Sequence, residues 1–272
     1  MGNKIYCSTG ALIGRENDYN YKYIIKYADQ IQADAFELMM LKAYYKNFNI
    51  MSKLFAENNI MFPVIHSDKD IGTLLSQRND NDTEEAIRLF NENCNFGKDI
   101  GAKMIVLHLW GGDKSDIYID YNIKICEKLI DISKKYNLTL VVENIPCLVK
   151  DPITHWLKLH NIYPDLKFIL DTRFLAFHEQ TKRIFELKWF ENGNIIHMHI
   201  SDFTGPPKDF SSLRPILHPN EGIIDFNSLL FNIKKVYNGS ITLESPVISK
   251  DNLDIEKLNN SLNYIKKAGN QS

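Results

Sequence analysis

The stretch MIVLHLWGGDKSDIYIDYNIKICEKLIDISKKYNLTLVVEN, residues 104–144, holds two apolar runs separated by one amphipathic segment. MIVLHL (104–109) and LTLVVEN (138–144) are short and continuous, the pattern of strands covered on both faces. Between them, Ile119, Ile123, Cys126, Leu129, Ile130 and Ile132 recur among charges at helical spacing over 117–136. Two buried strands joined by a helix pair in parallel, because the crossover returns the chain to the same end of the sheet.

The same alternation extends to both ends of the chain. Further strands are expected at KIYCS (4–8), AFELMM (35–40), FPVIHS (62–67), LKFILD (166–171), IIHMHIS (195–201) and SITLES (240–245), which with the first two makes eight. Helical periodicity recurs over 83–100, through Ala86, Leu89, Phe90 and Cys94, with Thr83 as the expected cap ahead of Glu84 and Glu85. It recurs again over 254–267, through Ile255, Leu258, Leu262 and Ile265. Eight strands are the number that closes a barrel, so the pattern predicts an α/β fold, a single (β/α)8 barrel spanning 1–272. An open doubly wound sheet is the alternative. No Pro/Ser-rich linker or low-complexity tract divides the chain. The longest stretches read as irregular, 67–81, 109–116 and 201–224, each follow a strand and would lie at the C-terminal mouth of the barrel, where such loops carry function.

Composition fits one large core: 272 residues, 44% of them hydrophobic, are within the size of single-domain α/β barrels. With 32 basic against 34 acidic residues and no long basic run, the chain lacks the electrostatic footprint of a nucleic-acid binder, which disfavours DNA or RNA as a partner. Cys7, Cys94, Cys126 and Cys147 are scattered, as for reduced thiols. No apolar run approaches the roughly 18 residues of a membrane span, and MGNKIYCSTG has no signal-peptide core. A cytoplasmic protein without a membrane partner is expected.

Four strand ends carry groups able to bind metal: Glu143 closes LTLVVE, Asp171 closes LKFILD, His199 lies in IIHMHISD, and Glu244 closes SITLE. A carboxylate placed after buried apolar residues bears a large desolvation cost unless it is paired, and no Lys or Arg occupies the last two positions of these strands. In a barrel the four converge on one mouth, so one cation can serve as the shared partner. Three carboxylates and one imidazole suit one divalent metal ion, Mn, Mg or Co, with Zn also compatible.

His66 and His108 also end strands and read either as core histidines or as ligand or substrate contacts. His197 shares a face with His199 one layer deeper, which points to a hydrogen-bonding role within the barrel. In LHPNEGIIDF (217–226), Gly222 suits a tight turn and Asp225 a helix cap, while His218 reads equally as a loop residue or as a mouth residue reaching substrate.

Taken in order, VVEN, ILDT, IIHMHISD, HPNEGIIDF and TLES resemble the xylose isomerase-like TIM-barrel superfamily of sugar isomerases, ketose epimerases and endonuclease IV. The resemblance runs from VIHSDKDIG at the third strand to TLESP at the eighth. It implies that Glu143, Asp171, His199 and Glu244 hold one divalent metal, that Glu143 and Glu244 are the catalytic acid and base, and that His66, His108, Arg173 and His218 are substrate-binding. The implied function is a metal-dependent isomerase or epimerase in carbohydrate metabolism, acting on a small sugar-like substrate by proton abstraction next to a carbonyl. Dimers and tetramers are common in that family, which implies a homo-oligomer. Two departures are visible. Many relatives read Asp-Thr-x-His where this chain has Asp171, Thr172, Arg173 and Phe174, and the usual Gly-Glu-Gly is Asn220, Glu221 and Gly222. The alternatives are an endonuclease IV-like metallo-phosphodiesterase acting on DNA, for which His66 and His108 match two histidine positions, and a ligand-binding barrel that has lost catalysis.

Overall fold

The computed structural model describes residues 3–248 and 252–268. All eight expected strands form: β1 (Ile5–Ser8), β2 (Ala35–Met39), β3 (Val64–His66), β4 (Met104–Leu107), β5 (Thr139–Glu143), β6 (Lys167–Asp171), β7 (Ile195–Ile200) and β8 (Ser240–Leu243). They pair in parallel and in chain order, and β8 returns to β1 through Ile5 with Ile241, Tyr6 with Thr242 and Cys7 with Leu243. The sheet is therefore a closed barrel, and the open-sheet alternative does not hold.

The helices among the described residues are α1 (Lys22–Tyr27), α2 (Phe48–Glu57), α3 (Asp70–Ser76), α4 (Asp80–Asp99), α5 (Ile119–Lys135), α6 (Pro152–Ile162), α7 (Thr172–Phe177), α8 (Thr181–Glu186), α9 (Phe226–Val236) and α10 (Ile255–Lys267). None is long and apolar enough to cross a membrane. Short polar caps start several of them. Asp225 accepts the backbone N–H of Ser228 at α9, and Asp254 accepts that of Lys257 at α10, each satisfying an orphan donor of the first turn.

Two local expectations change. Helix α4 starts behind Asn79, whose side-chain oxygen accepts the N–H of Asp82 at 2.9 Å, so Thr83 lies inside the helix and donates its hydroxyl to the Asn79 carbonyl. The stretch 67–81 is not irregular either. It contains α3, which buries Ile71, Gly72 and Leu75.

Core packing divides at the barrel wall. The larger apolar core lies between strands and helices, where Leu107, Val142, Phe168, Leu170, Met198 and Leu243 meet buried helix residues such as Phe90, Leu129, Trp156, Leu230 and Leu262. A second, smaller apolar cluster joins Val64, Val106, Val141 and Ile169, on β3 to β6, with Tyr6, Met104 and Ile196 packed against it. Glu37, His197 and Thr242, on β2, β7 and β8, are each fully buried polar residues. A barrel interior half filled with carboxylate and imidazole must satisfy those groups internally, and it does so directly beneath the mouth.

Candidate metal centre

Each strand delivers its polar group at the point where it leaves the sheet. Glu143 ends β5, Asp171 ends β6, His199 lies near the end of β7, and Glu244 follows β8. The register sets Asp171 beside His199, and Glu143 beside Ile169, two residues short of Asp171 on the neighbouring strand. Asn144 locks the first pair of strands: its side-chain oxygen accepts the Asp171 N–H at 2.6 Å and its amide donates to the Asp171 carbonyl at 3.1 Å.

Nδ1 of His199 is the focus of the cluster. It lies 2.9 Å from Oε1 of Glu143 and 3.3 Å from Oε1 of Glu244. One ligand atom each from Asp171, His199 and Glu244 falls within 4.8 Å of the others, and the same holds for His66, Glu143 and His199. Asp171 divides its two oxygens. Oδ1 accepts the N–H of Phe174 and so caps α7, while Oδ2 is buried without a hydrogen-bond partner. An orphaned carboxylate oxygen inside a ring of carboxylates and an imidazole is what a divalent cation would complete, so the residues present fit the metal that the sequence resemblance implies.

Electrostatics show the same crowding. Burial pushes Asp171 up to about 7, the guanidinium of Arg173 works against that rise, and the carboxylates of Glu244 and Glu143 add to it. Burial also acts to raise Glu143, yet the imidazoles of His199 and His108 hold it well below the usual carboxylate range. For His199 burial opposes the charge, but Glu244, Glu37 and Glu143 together raise it well above an ordinary imidazole. His108, 2.6 Å from Oε2 of Glu143, is lowered by burial to about 4 despite that neighbour. His66 reaches the same oxygen at 3.3 Å.

Arg173 stands in the first turn of α7, 6% exposed, with Nη1 donating to the carbonyl of Leu213 at 2.8 Å and with Nε lacking a partner. Its guanidinium lies 4.6 Å from the Phe174 ring. His178 does not substitute for a histidine at position 174, because its Nε2 accepts the backbone N–H of Cys147.

The structure does not bring His218 to this cluster. Its Nδ1 meets Ser261 at 2.8 Å and its Nε2 meets the Pro246 carbonyl at 3.2 Å, so the two ring nitrogens anchor the loop to α10 and to the segment that follows β8. Gly222, in the same loop, is required by close approach. A Cβ there would lie 2.4 Å from the Phe203 carbonyl oxygen and 2.5 Å from the Asp202 carboxylate, which accepts the Gly222 N–H. Trp110 and Phe203 are fully buried and pack within the protein.

Two buried groups escaped the sequence reading. Glu37 sits inside AFELMM, a carboxylate flanked by apolar residues, and meets both His197 and His199 at 2.8 Å. A carboxylate inside a buried apolar run needs a partner at mid-strand as much as at a strand end, and that is the signal AFELMM carries. Asp116, with His155 and Cys147, forms a second group of metal-ligand types. Here the carboxylate is already saturated, accepting the N–H groups of Leu148, Val149 and Lys150 and pairing with His155 at 2.8 Å, and burial pushes the Cys147 thiol up.

A closed parallel barrel with carboxylates and imidazoles of metal-ligand type gathered at the strand C-termini defines the class of (β/α)8 barrels whose candidate site occupies one mouth. Within that class the chain belongs to the xylose isomerase-like TIM barrel family, whose sequence model matches residues 25–268. No curated protein sequence matches it. Among solved structures it is similar to a D-tagatose 3-epimerase-like protein, with TM-score 0.71 and 19% identity over 97% of this chain and 96% of that one. It is similar to 3-keto-D-glucoside 4-epimerase from E. coli, with TM-score 0.69 and 15% identity over 97% and 99% of the two chains. An IolI protein with a bound zinc atom aligns with TM-score 0.67 and 17% identity over 97% and 96%.

Proposed function

We propose that the protein is a divalent-metal-dependent isomerase or epimerase of a sugar or related polyhydroxylated carbonyl compound. The observation that carries this reading is that Nδ1 of His199 lies 2.9 Å from Glu143 and 3.3 Å from Glu244, that Asp171, His199 and Glu244 offer ligand atoms within 4.8 Å of one another, and that Oδ2 of Asp171 is left unpaired. The fold shared with a tagatose epimerase-like protein and a keto-glucoside epimerase supports a sugar-like substrate.

A bound divalent cation supplies electrophilic stabilisation for the negative charge that develops on a substrate oxygen when a neighbouring C–H is deprotonated. Glu143 and Glu244 enter from β5 and from the end of β8, so they address a substrate from different sides and move its protons. Glu244 has the freer carboxylate, its side chain 10% exposed, whereas Glu143 at 2% is held by three imidazoles. His108, 12% exposed at the rim, and His66 beside it contact substrate oxygens. Arg173 brings its unpartnered Nε to the same task. His218 takes no part.

The test is elemental mass spectrometry on chelator-free protein, followed by a ketose screen in deuterated water. About one ion per chain, with deuterium entering the carbon beside the carbonyl, is the expected result. Two or three zinc ions with cleavage of abasic DNA would replace this reading by a phosphodiesterase. No ion under any loading would leave a ligand-binding barrel.

A further inference from the structure

The polar half of the barrel interior has an order that the metal ligands alone do not explain. Glu37, on β2, is fully buried, and its two oxygens serve different partners. Oε2 receives His197 Nε2 at 2.8 Å and the hydroxyl of Thr242 at 2.7 Å. Oε1 receives only His199 Nε2, at 2.8 Å. His197 is in turn fixed from its other side, with Nδ1 at 2.7 Å from Ser240 Oγ. The carboxylate is thus clamped by residues of β7 and β8 beneath the mouth, and its one remaining oxygen is aimed at the far nitrogen of His199.

We infer that Glu37 is a positioning residue: it holds the His199 ring so that Nδ1, and not Nε2, faces the carboxylates of Glu143 and Glu244. An imidazole has two nitrogens, and which one is offered to a cation is set by the hydrogen bond that the other makes. A carboxylate only accepts, so the nitrogen facing Glu37 keeps its hydrogen, and when a cation takes the place of the proton between Nδ1 and Glu143, Nδ1 is the nitrogen left to supply the lone pair. The bond also stops the ring from turning over, a motion that would carry Nδ1 away from Glu143 and Glu244. The inference rests on the metal-centre reading above and extends it to a residue outside the donor set.

The probe is zinc alone. In the zinc-loaded wild-type protein, 15N correlation spectra of the imidazoles are expected to show His199 with a proton on Nε2 and the metal on Nδ1. Competition against a chromophoric chelator is expected to show zinc affinity reduced about 10-fold in Glu37→Gln, whose amide oxygen still accepts from His199, and about 100-fold in Glu37→Met, which offers no acceptor. Thermal unfolding of each metal-free variant separates this loss from loss of fold, and should Glu37→Met not fold, the Gln variant and the wild-type spectra still decide the matter. A role confined to core packing would lower the melting temperature and leave affinity and ring assignment unchanged, and that result overturns the inference. So does zinc on Nε2. Absence of zinc uptake by the wild-type protein would instead sink the metal-centre reading itself, and this inference with it.

Discussion

His199 and Glu143 meet at 2.9 Å across the top of the barrel although 56 residues separate them in the chain. Their contact exists because β5, β6 and β7 are consecutive in the closed barrel, and it makes the protonation of one depend on the charge of the other. A barrel mouth assembled this way has its chemistry in residue types and its geometry in strand register, which the following experiments probe separately.

Glu244→Gln keeps the size of the side chain and removes its capacity to move a proton. Turnover on the cognate sugar is expected to fall by about 10³-fold, within the range of general acid–base contributions, with a melting temperature close to wild type because the group is at the rim. Retained turnover in steady-state assays would remove Glu244 from the proposed chemistry.

Metal removal should expose a pH dependence. Burial with the nearby carboxylates holds Asp171 near 7, and although burial opposes it, the carboxylates around His199 raise that imidazole. Both groups have folded-state values above their unfolded ones. The contribution of Asp171 is complete below its ordinary value of 3.8 and is lost as pH rises to about 7, and that of His199 is complete below 6.5 and is lost above it. The melting temperature of metal-free protein is therefore expected to fall by on the order of 5 °C between roughly pH 6 and 8.5. Metal loading should flatten the profile, since the cation replaces those protons. A metal-free profile that rises with pH contradicts this account.

Asp116→Ala tests a staple rather than a site. The carboxylate collects three consecutive backbone N–H groups, from Leu148, Val149 and Lys150, together with His155. Its loss leaves the buried His155 and three backbone donors of the segment that follows Glu143 without this partner. A destabilisation of about 3–5 kcal/mol is expected in urea unfolding. A change under about 1 kcal/mol would show that water replaces the carboxylate there.

Gly72→Ala probes how closely α3 approaches the end of β4. The added Cβ would lie 2.5 Å from the carbonyl oxygens of both His108 and Trp110. Backbone cannot yield there without moving His108, so a loss of about 1–3 kcal/mol is expected, with weaker substrate binding measured as a higher KM. An unaffected KM would mean that α3, not the His108 segment, gives way.

Much of this was legible in residue order. The eight apolar runs became the eight strands because continuous burial on both faces leaves a local, readable signature, and Glu143, Asp171, His199 and Glu244 stood out because charge after such a run demands a partner. The Asp225 cap was legible for the same reason, its hydrogen bond spanning three residues. Thr83 was misread as a cap because Asn79, four residues earlier, offers the same chemistry and captured the first turn. Helix α3 was hidden by its seven-residue length, too short for periodicity to declare itself.

The remaining features depended on partners far along the chain. Glu37 joins His197 and His199 across 160 and 162 residues, and no local pattern says which strands will be neighbours. His218 carries a ring that suits a mouth or a loop equally, and only the docking of α10, 43 residues on, turned it to Ser261. Residue order specified the strands, the helices that separate them and the chemical types at the strand ends, since burial and capping act over a few residues. Which oxygen faces which nitrogen was decided by barrel closure, since register and side-chain direction arise only when all eight strands are in place.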